Sequence, residues 1–407
     1  MQQRFSLLLT VSFVGLLIIS SNQATAQPTV SGYVQAEWLH FDQSSNPDKR
    51  AFYWDAEKNF FQIRRGRAKF THHDGAFKGV LQADFTERGV DVKDAYLQVN
   101  LVKENLLNVT VGLFNRPNYE VELSSSKRES PERSQVIRAF YPGERDLGFK
   151  FESSPKLSED FIPTIQLALF NGNPNESDAL KDIATRLILP LPLGKESKVS
   201  ATVGGSFYYG GIPQPEDSVI SFENGMPVIT FGNGTGASQG WGNRTNVGIE
   251  AQVHAKLFSF GSTHLTGEFL SGMRPTTTTR EITREVQDGD TTIIVTTAQP
   301  TLAIRNQSGF YVQLAQDLSK KYTVAAKYDV FDRNTDLSGN QVSSSSDRQA
   351  TVIGFGAIGT FGPVRITAWY EMPTFAADEA TFVDGSGATK SDDLKDNKTT
   401  VRFQYKF

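Results

Sequence analysis

Cysteine is absent from all 407 residues, which excludes a disulfide framework, a thiolate metal site, a cysteine nucleophile and a lipid-modified N-terminal cysteine. Long apolar runs are nearly absent too. The one run, residues 5 to 19, follows Arg4 and precedes Ala24-Thr25-Ala26, the small-x-small pattern of a secretory leader. At about 15 residues it falls short of the roughly 20 that span a bilayer as a helix, and nothing later approaches that length. Residues 1–26 are therefore expected to be a signal peptide, leaving 27–407 without a transmembrane helix. A strong charge imbalance is also missing: 41 Lys and Arg stand against 45 Asp and Glu, net −4, or −5 once Arg4 is lost with the leader. That balance carries no nucleic-acid signature. Hydrophobic residues make up only 38%, and 34 glycines with 11% aromatics point away from a large helical core.

What the chain has instead is alternation. Its last seven residues set Val401, Phe403, Tyr405 and Phe407 on one face and Arg402, Gln404 and Lys406 on the other. The same period of two recurs in Val247, Ile249, Ala251, Val253 and Ala255 against Glu250, Gln252, His254 and Lys256. It predicts sixteen strands, at 29–41, 60–72, 76–88, 90–102, 107–117, 145–154, 161–172, 182–192, 198–212, 244–257, 260–274, 306–318, 322–333, 348–360, 363–373 and 399–407. Most have the roughly 9 to 11 residues that a tilted strand needs to cross a membrane. The connections alternate between short and long, as a membrane barrel with short periplasmic turns and long outer loops requires; only the link near Gly89 is out of pattern. The expected fold is all-β, a transmembrane antiparallel β-barrel of about 16 strands occupying 27–407. Tyr33, Trp38, Trp241, Trp369 and Tyr370 are candidates for interfacial girdles, or for scattered core aromatics.

A barrel of that size encloses an aqueous lumen. No plug domain fits between the leader and the first strand, so passive diffusion of small hydrophilic solutes is the expected function. The wet strand faces give a lumen of mixed sign, with Lys78, Asp84, Asp94, Arg116, Lys150, Glu250, Lys256, Glu268, Lys327, Asp329, Arg365 and Arg402. On strand two, adjacent Arg64 and Arg65 cannot both face inward if the strand is regular. The face with Arg65, Arg67 and Lys69 is taken as the inner one, and Arg64 turns to a rim.

The third outer link, 118–144, is the candidate constriction. It holds Lys127, Arg128, Arg133 and Arg138, with Arg145 just beyond, among Glu129, Glu132, Glu144 and Asp146. The stretch "GLFNRPNYEVELSSSKRESPERSQVIRAFYPGERDLGFKFE" resembles the phosphate-selective porin O and P family, through Pro117, Glu122, Ser124, Ser125, Glu132, Arg133, Ser134, Pro142, Gly143, Arg145, Asp146 and Gly148. The resemblance implies a sixteen-stranded barrel, commonly a homotrimer, whose third loop folds inward, with lysines and arginines in and around the constriction. Lys127, Arg128, Arg133, Arg138, Arg145, Arg65, Arg67 and Lys69 are accordingly the expected anion-contacting residues. Two readings of these charges stand: they face a permeating anion such as phosphate, or they pin the loop to the wall. The terminal Phe407 resembles the signal by which outer-membrane barrels engage their assembly machinery. Ser130 followed by Pro131 predicts a helix over 131–139, in or near which Arg128 with Glu132 and Glu129 with Arg133 are spaced four apart.

Other motifs carry less. "GASQG" at 236–240 lacks a strand-to-helix elbow, and "GNGTGA" at 232–237 lacks a βαβ unit. Asp332, Asn334 and Asp336 begin like a calcium loop, but Leu337 stands where glycine is needed. No enzyme, metal or cofactor is expected. His72 and His73 share a predicted turn. His254 and His264 face the lumen on neighbouring strands, with no carboxylate spacing to argue for a metal. Residues 274–301, with the apolar "TIIVTT", predict a hairpin above the membrane, which leaves surface-loop adhesion or receptor contact as the alternative function.

Overall fold

The computed structural model describes residues 27–42, 59–102, 106–117, 121–122, 124–140, 144–172, 180–193, 198–213, 218–231, 241–288, 291–342, 347–376, 381–383, 389–391 and 397–407. The predicted leader and the two glycine-rich motifs at 232–240 lie outside them. One sheet takes in eighteen strands, of which sixteen, each antiparallel to its neighbours, close into a barrel. In chain order they are β1 (Thr29–Phe41), β2 (Asn59–Asp74), β3 (Phe77–Thr86), β4 (Gly89–Val102), β5 (Leu107–Asn115), β6 (Arg145–Ser153), β7 (Thr164–Phe170), β8 (Asp182–Leu191), β9 (Val199–Pro213), β12 (Trp241–Phe258), β13 (Gly261–Asp288), β14 (Thr291–Asp317), β15 (Tyr322–Asp332), β16 (Ala350–Phe361), β17 (Val364–Phe375) and β20 (Lys398–Lys406). The other two, β10 (Ser218–Glu223) and β11 (Met226–Phe231), form a hairpin in the link from β9 to β12. A separate small hairpin, β18 (Thr381–Val383) with β19 (Thr389–Ser391), occupies the last outer link. His72 and His73 fall inside β2, because the turn begins at Gly75.

Alternation along each strand turns the usual globular arrangement inside out. On β12, outward Ile249 is 65% exposed and inward Glu250 only 9%. On β20, Phe403 and Tyr405 point out while Arg402 and Gln404 are buried within. The exposed apolar side chains recur on nearly every barrel strand, a far larger surface than the few hundred Å² that a soluble monomer leaves bare. Such a belt is stable only against lipid. Of the aromatics read as girdle or core candidates, Tyr33 and Trp369 are of the second kind: both are buried and face inward, since each lies on the polar parity of its strand.

The links sort by end. Those at 75–76, 259–260 and 362–363 are two-residue turns, whereas 116–144, 333–349 and 376–397 belong to the opposite, outer end. The link at 87–88 is the short outer exception. β13 and β14, of 28 and 27 residues, continue as a two-stranded ladder to Asp288↔Thr291, so the hairpin expected at 274–301 forms. β10 lies parallel against its base through Val219↔Leu302 and Ile220↔Ala303.

Closure joins β20 to β1, from Tyr33↔Lys406 to Phe41↔Lys398. Gly32 and Phe407 exchange both backbone hydrogen bonds, at 2.9 and 3.0 Å. A Cβ on Gly32 would sit 2.2 Å from the Arg67 carbonyl oxygen and 2.6 Å from the Phe407 ring, so only glycine lets the terminal residue close the seam.

Candidate functional site

The third loop leaves the wall at Arg116 and returns at Glu144, whose carbonyl accepts the Arg116 N–H at 3.1 Å. Between these points residues 124–140 lie inside the barrel. Their backbone carbonyls, with no ladder to join, are taken up by inward side chains of the wall. Gln35 donates to Ser125 O (3.0 Å), and the Tyr33 and Ser125 hydroxyls bond to each other. Arg365 alone reaches the carbonyls of Ser126, Lys127 and Arg128 at 3.2, 3.0 and 2.7 Å. Arg402 donates to Pro131 O at 2.6 Å.

The loop carboxylates are anchored as firmly. Glu132 accepts both Arg64 nitrogens (2.8 and 2.9 Å) and Arg402 (2.8 Å). Burial pushes its carboxyl up, but Arg64, Arg65 and Arg402 outweigh that and hold it well below the usual carboxylate range. Glu122 accepts Lys327 at 2.5 Å and both the N–H and the hydroxyl of Ser134, at 2.7 and 2.6 Å. Burial opposes its ionisation, and Lys327 and Arg128 prevail, so its pKa too is lowered. Arg128 is pulled down by burial, with Glu132 and Glu122 acting against that; it donates to Glu122 O (2.7 Å) and Pro131 O (3.1 Å).

The helix in this loop, α1 (Gln135–Phe140), begins four residues later than Ser130-Pro131 predicts. Ser130 does not cap it; its hydroxyl donates to Glu132 O at 2.9 Å. Glu132 and Arg133 are drawn to different partners, which holds residues 131–134 out of helix. The start is fixed from a distance, since Glu122 receives Ser134 N–H and Asp329 receives Gln135 N–H at 2.7 Å. Neither expected local pair forms: Arg133 bonds Glu144, and Glu129 accepts Gln313 at 2.7 Å. Val136, Ile137 and Phe140, at 0 to 2% exposure, pack with Phe114, Phe170, Tyr208, Leu270, Tyr311 and Phe331 of the wall. This apolar cluster fills one side of the lumen.

Strand β2 departs from its expected regularity. The β1–β2 register jumps from Gln35↔Arg65 to Ala36↔Ile63, leaving Arg64 as the extra residue of a bulge. Both arginines therefore point inward, Arg64 to Glu132 and Arg65 to Gln35 (3.2 Å), and neither turns to a rim. Arg67 forks onto Asp84 at 2.5 and 2.6 Å, and Arg145 bonds Asp94 (2.7 Å) and Glu144 (2.9 Å). Of the eight basic residues expected to meet an anion, Arg65, Arg67, Arg128, Arg133 and Arg145 are thus engaged with the protein itself. The side chains of Lys69, Lys127 and Arg138 make no hydrogen bond or ion pair among the described residues. Nothing in the sequence singles out Glu37, which pairs with Arg402, or Gln35, which holds the loop, and Tyr33 is marked there only as a girdle or core aromatic and not as a loop contact, although all three sit on the inward parity of β1.

Beside the helix, the lumen opens outward as a cavity of about 750 Å³ between β20, β1, β2 and the β3–β4 turn, floored by Glu132, Arg138 and Arg402. Six basic and five acidic side chains line it. Ten of them are paired: Arg64 with Glu132, Arg402 with Glu37, Lys93 with Asp91, Lys398 with Glu371, Asp84 with Arg67, and Arg88 with Glu87 at 3.9 Å. Arg138 is the exception among the described residues.

No protein-family model and no curated protein matches the sequence. Solved structures do match the fold. The trimer form of OmpT, an outer-membrane protein of Vibrio cholerae, superposes with a TM-score of 0.53 at 11% identity, over 94% of this chain and 99% of that one. The outer-membrane channel DcaP of Acinetobacter baumannii gives 0.52 at 14%, over 95% and 99%. An anion-selective porin from Comamonas acidovorans gives 0.53 at 10%, over 94% and 99%. The architecture is that of bacterial outer-membrane porins.

Proposed function

We propose that this chain is an outer-membrane channel for passive diffusion of small hydrophilic solutes, biased toward anions. Its path runs through the 750 Å³ cavity beside α1. The observation that carries the bias is Arg138, a guanidinium with no ion pair within 4 Å among the described residues, its charge felt by Asp329 but not closed by a contact, in a vestibule whose other charges are paired. A fixed charge in a narrow lumen replaces part of an ion's hydration and favours the opposite sign. Lys127 and Lys69 add to it. The resemblance of the third loop to phosphate-selective porins, and the fold shared with an anion-selective porin, support the same reading. Phosphate enters as one permeant anion among others, because the arginine forks suited to its oxygens are mostly spent on loop carbonyls and carboxylates.

The test is Arg138→Glu in planar bilayers under a potassium chloride gradient. The reversal potential should move toward cation preference, most at low salt, and block by added phosphate should weaken. An unchanged reversal potential in a folded variant removes Arg138 from the path. The β13–β14 ladder, standing clear of the barrel, favours a second role in surface contact, for which whole-cell adhesion after deletion of 277–300 is the check. A homotrimer is proposed by analogy with the trimer form of OmpT, and detergent-corrected mass in solution decides it.

A further inference from the structure

At the short-turn end of the lumen, His254 of β12 and His264 of β13 are direct cross-strand partners, close to the two-residue turn that joins the strands. Their rings meet edge to face, with centroids 4.7 Å apart, and their Nδ1 atoms converge to 2.6 Å. The second nitrogen of His264, Nε2, lies 3.2 Å from Asp317 Oδ2 on β14. Asp317 is itself steadied by Thr323 Oγ1, which donates to its other oxygen at 2.7 Å. The carboxylate that sequence spacing did not reveal is supplied by the next strand over.

We propose that His254 and His264 are the nitrogen ligands of a divalent transition-metal site, of the Cu2+, Ni2+ or Zn2+ class, at the periplasmic mouth of the channel. Three features point there. Asp317 accepts a hydrogen bond from His264 Nε2–H at 3.2 Å, which leaves Nδ1 of His264 as the lone-pair nitrogen facing His254, the orientation in which a carboxylate prepares a histidine to ligate. The two Nδ1 atoms face each other at hydrogen-bond distance, with His254 Nδ1–H donating to His264, so an ion that enters between them displaces that proton to His254 Nε2 or to water. Metal–nitrogen bonds of about 2.0–2.1 Å place two neighbouring ligand nitrogens about 3 Å apart, so accepting an ion requires an opening of only about half an ångström. Side chains that are partly exposed, His264 at 29% and Asp317 at 32%, allow that movement and admit the waters that complete the coordination. No group of three or more His, Cys, Asp and Glu gathers among the described residues, so this is a two-ligand, water-completed site and not a structural cage. Imidazole pairs of this kind suit Cu2+ best of the divalent series. A bound dication would add positive charge where a permeating anion enters or leaves.

The experiment uses the full barrel folded in detergent and titrated with Cu2+. Calorimetry should show one tight equivalent per chain, and the electron paramagnetic resonance spectrum at one equivalent should carry couplings to two nitrogens. His254→Ala or His264→Ala should weaken binding by about tenfold or more, and Asp317→Ala by about tenfold through the lost orienting contact. His73→Ala, on β2, should change nothing. A wild-type spectrum without two-nitrogen coupling overturns the proposal, and requires no variant to fold. So does an unchanged titration in the His254→Ala/His264→Ala double variant with barrel migration intact.

Discussion

Glu132 bonds Arg64 and Arg402 at once, and its ionisation is favoured far below the ordinary carboxylate range. The sign follows from linkage: a carboxyl with a lowered pKa contributes its full stabilisation above its unfolded value, about 4.3, and loses it only as pH falls through the lowered value. The contributions of Glu132 and Glu122 to docking should therefore be intact from neutral pH to about 4.5, read in an Asp329→Asn background, where the Gln135 N–H contact no longer depends on a carboxylate, as unchanged protection of the loop from protease. Loss of protection near pH 5 in that background would show that Glu132 and Glu122 do not hold the loop. Glu132→Gln behaves otherwise. It leaves Arg64 and Arg402 with only part of their counter-charge, and because Arg64 and Glu132 are partly exposed the cost falls below the roughly 3–5 kcal/mol of a fully buried pair. The variant should gain anion preference and show current noise from a loosened loop, readable in planar bilayers. Arg128→Glu is the informative contrast with Arg138→Glu. Arg128 is buried on carbonyls of its own loop, so its reversal should disrupt docking more than it changes selectivity.

At the scale of elements, the helix α1 is the piece that narrows the lumen, and its hold is apolar. Phe140 meets Phe331 edge to face at 6.4 Å, inside a cluster that includes Val136 and Ile137. Truncating such a side chain costs about 3–5 kcal/mol, here charged to docking of the loop and not to the barrel ladder. Phe140→Ala should therefore raise conductance and open residues 124–144 to protease while the barrel's thermal transition barely moves. Protection equal to wild type would mean that the polar pins suffice alone. All sixteen barrel strands were legible because period-two alternation is local, and their bounds differ from the expected ones by a few residues, apart from the long extensions of β13 and β14. The helix start and the fate of the loop charges were not legible. Glu122 meets Lys327 across 205 positions, and Arg402 meets Pro131 across 271, so no spacing rule records them. The bulge at Arg64 hides for a related reason: it exists because Glu132, 68 residues on, gives the extra side chain somewhere to go.

For the whole molecule, the seam between first and last strands decides whether there is a barrel at all. Fifteen of its strand pairings join neighbours in barrel order along the chain, while β20 must find β1 across its full length. That closure ends on Phe407, exposed toward lipid, bonded to Gly32 through both backbone groups. Open edges in a membrane leave backbone donors and acceptors without water, at a cost of several kcal/mol each, so an unclosed sheet is not a stable product. Gly32→Val forces a side chain onto the Arg67 carbonyl and the Phe407 ring, and deletion of Phe407 removes the last rung and the terminal aromatic together. Both should lower the yield of protein that migrates as a compact, heat-modifiable band on a denaturing gel. They differ in what survives. A barrel lacking Phe407 keeps its lumen, because Arg402 and its contacts with Glu37, Pro131 and Glu132 lie further along β20, so its conductance should equal wild type. Gly32→Val lies three residues before Gln35, where the β1–β2 register shifts, and next to Tyr33, which binds the loop at Ser125, so channels that do form should also show altered conductance. Normal insertion of the Phe407 deletion, measured as the heat-modifiable fraction in outer-membrane extracts, would place closure of the barrel elsewhere than at this seam.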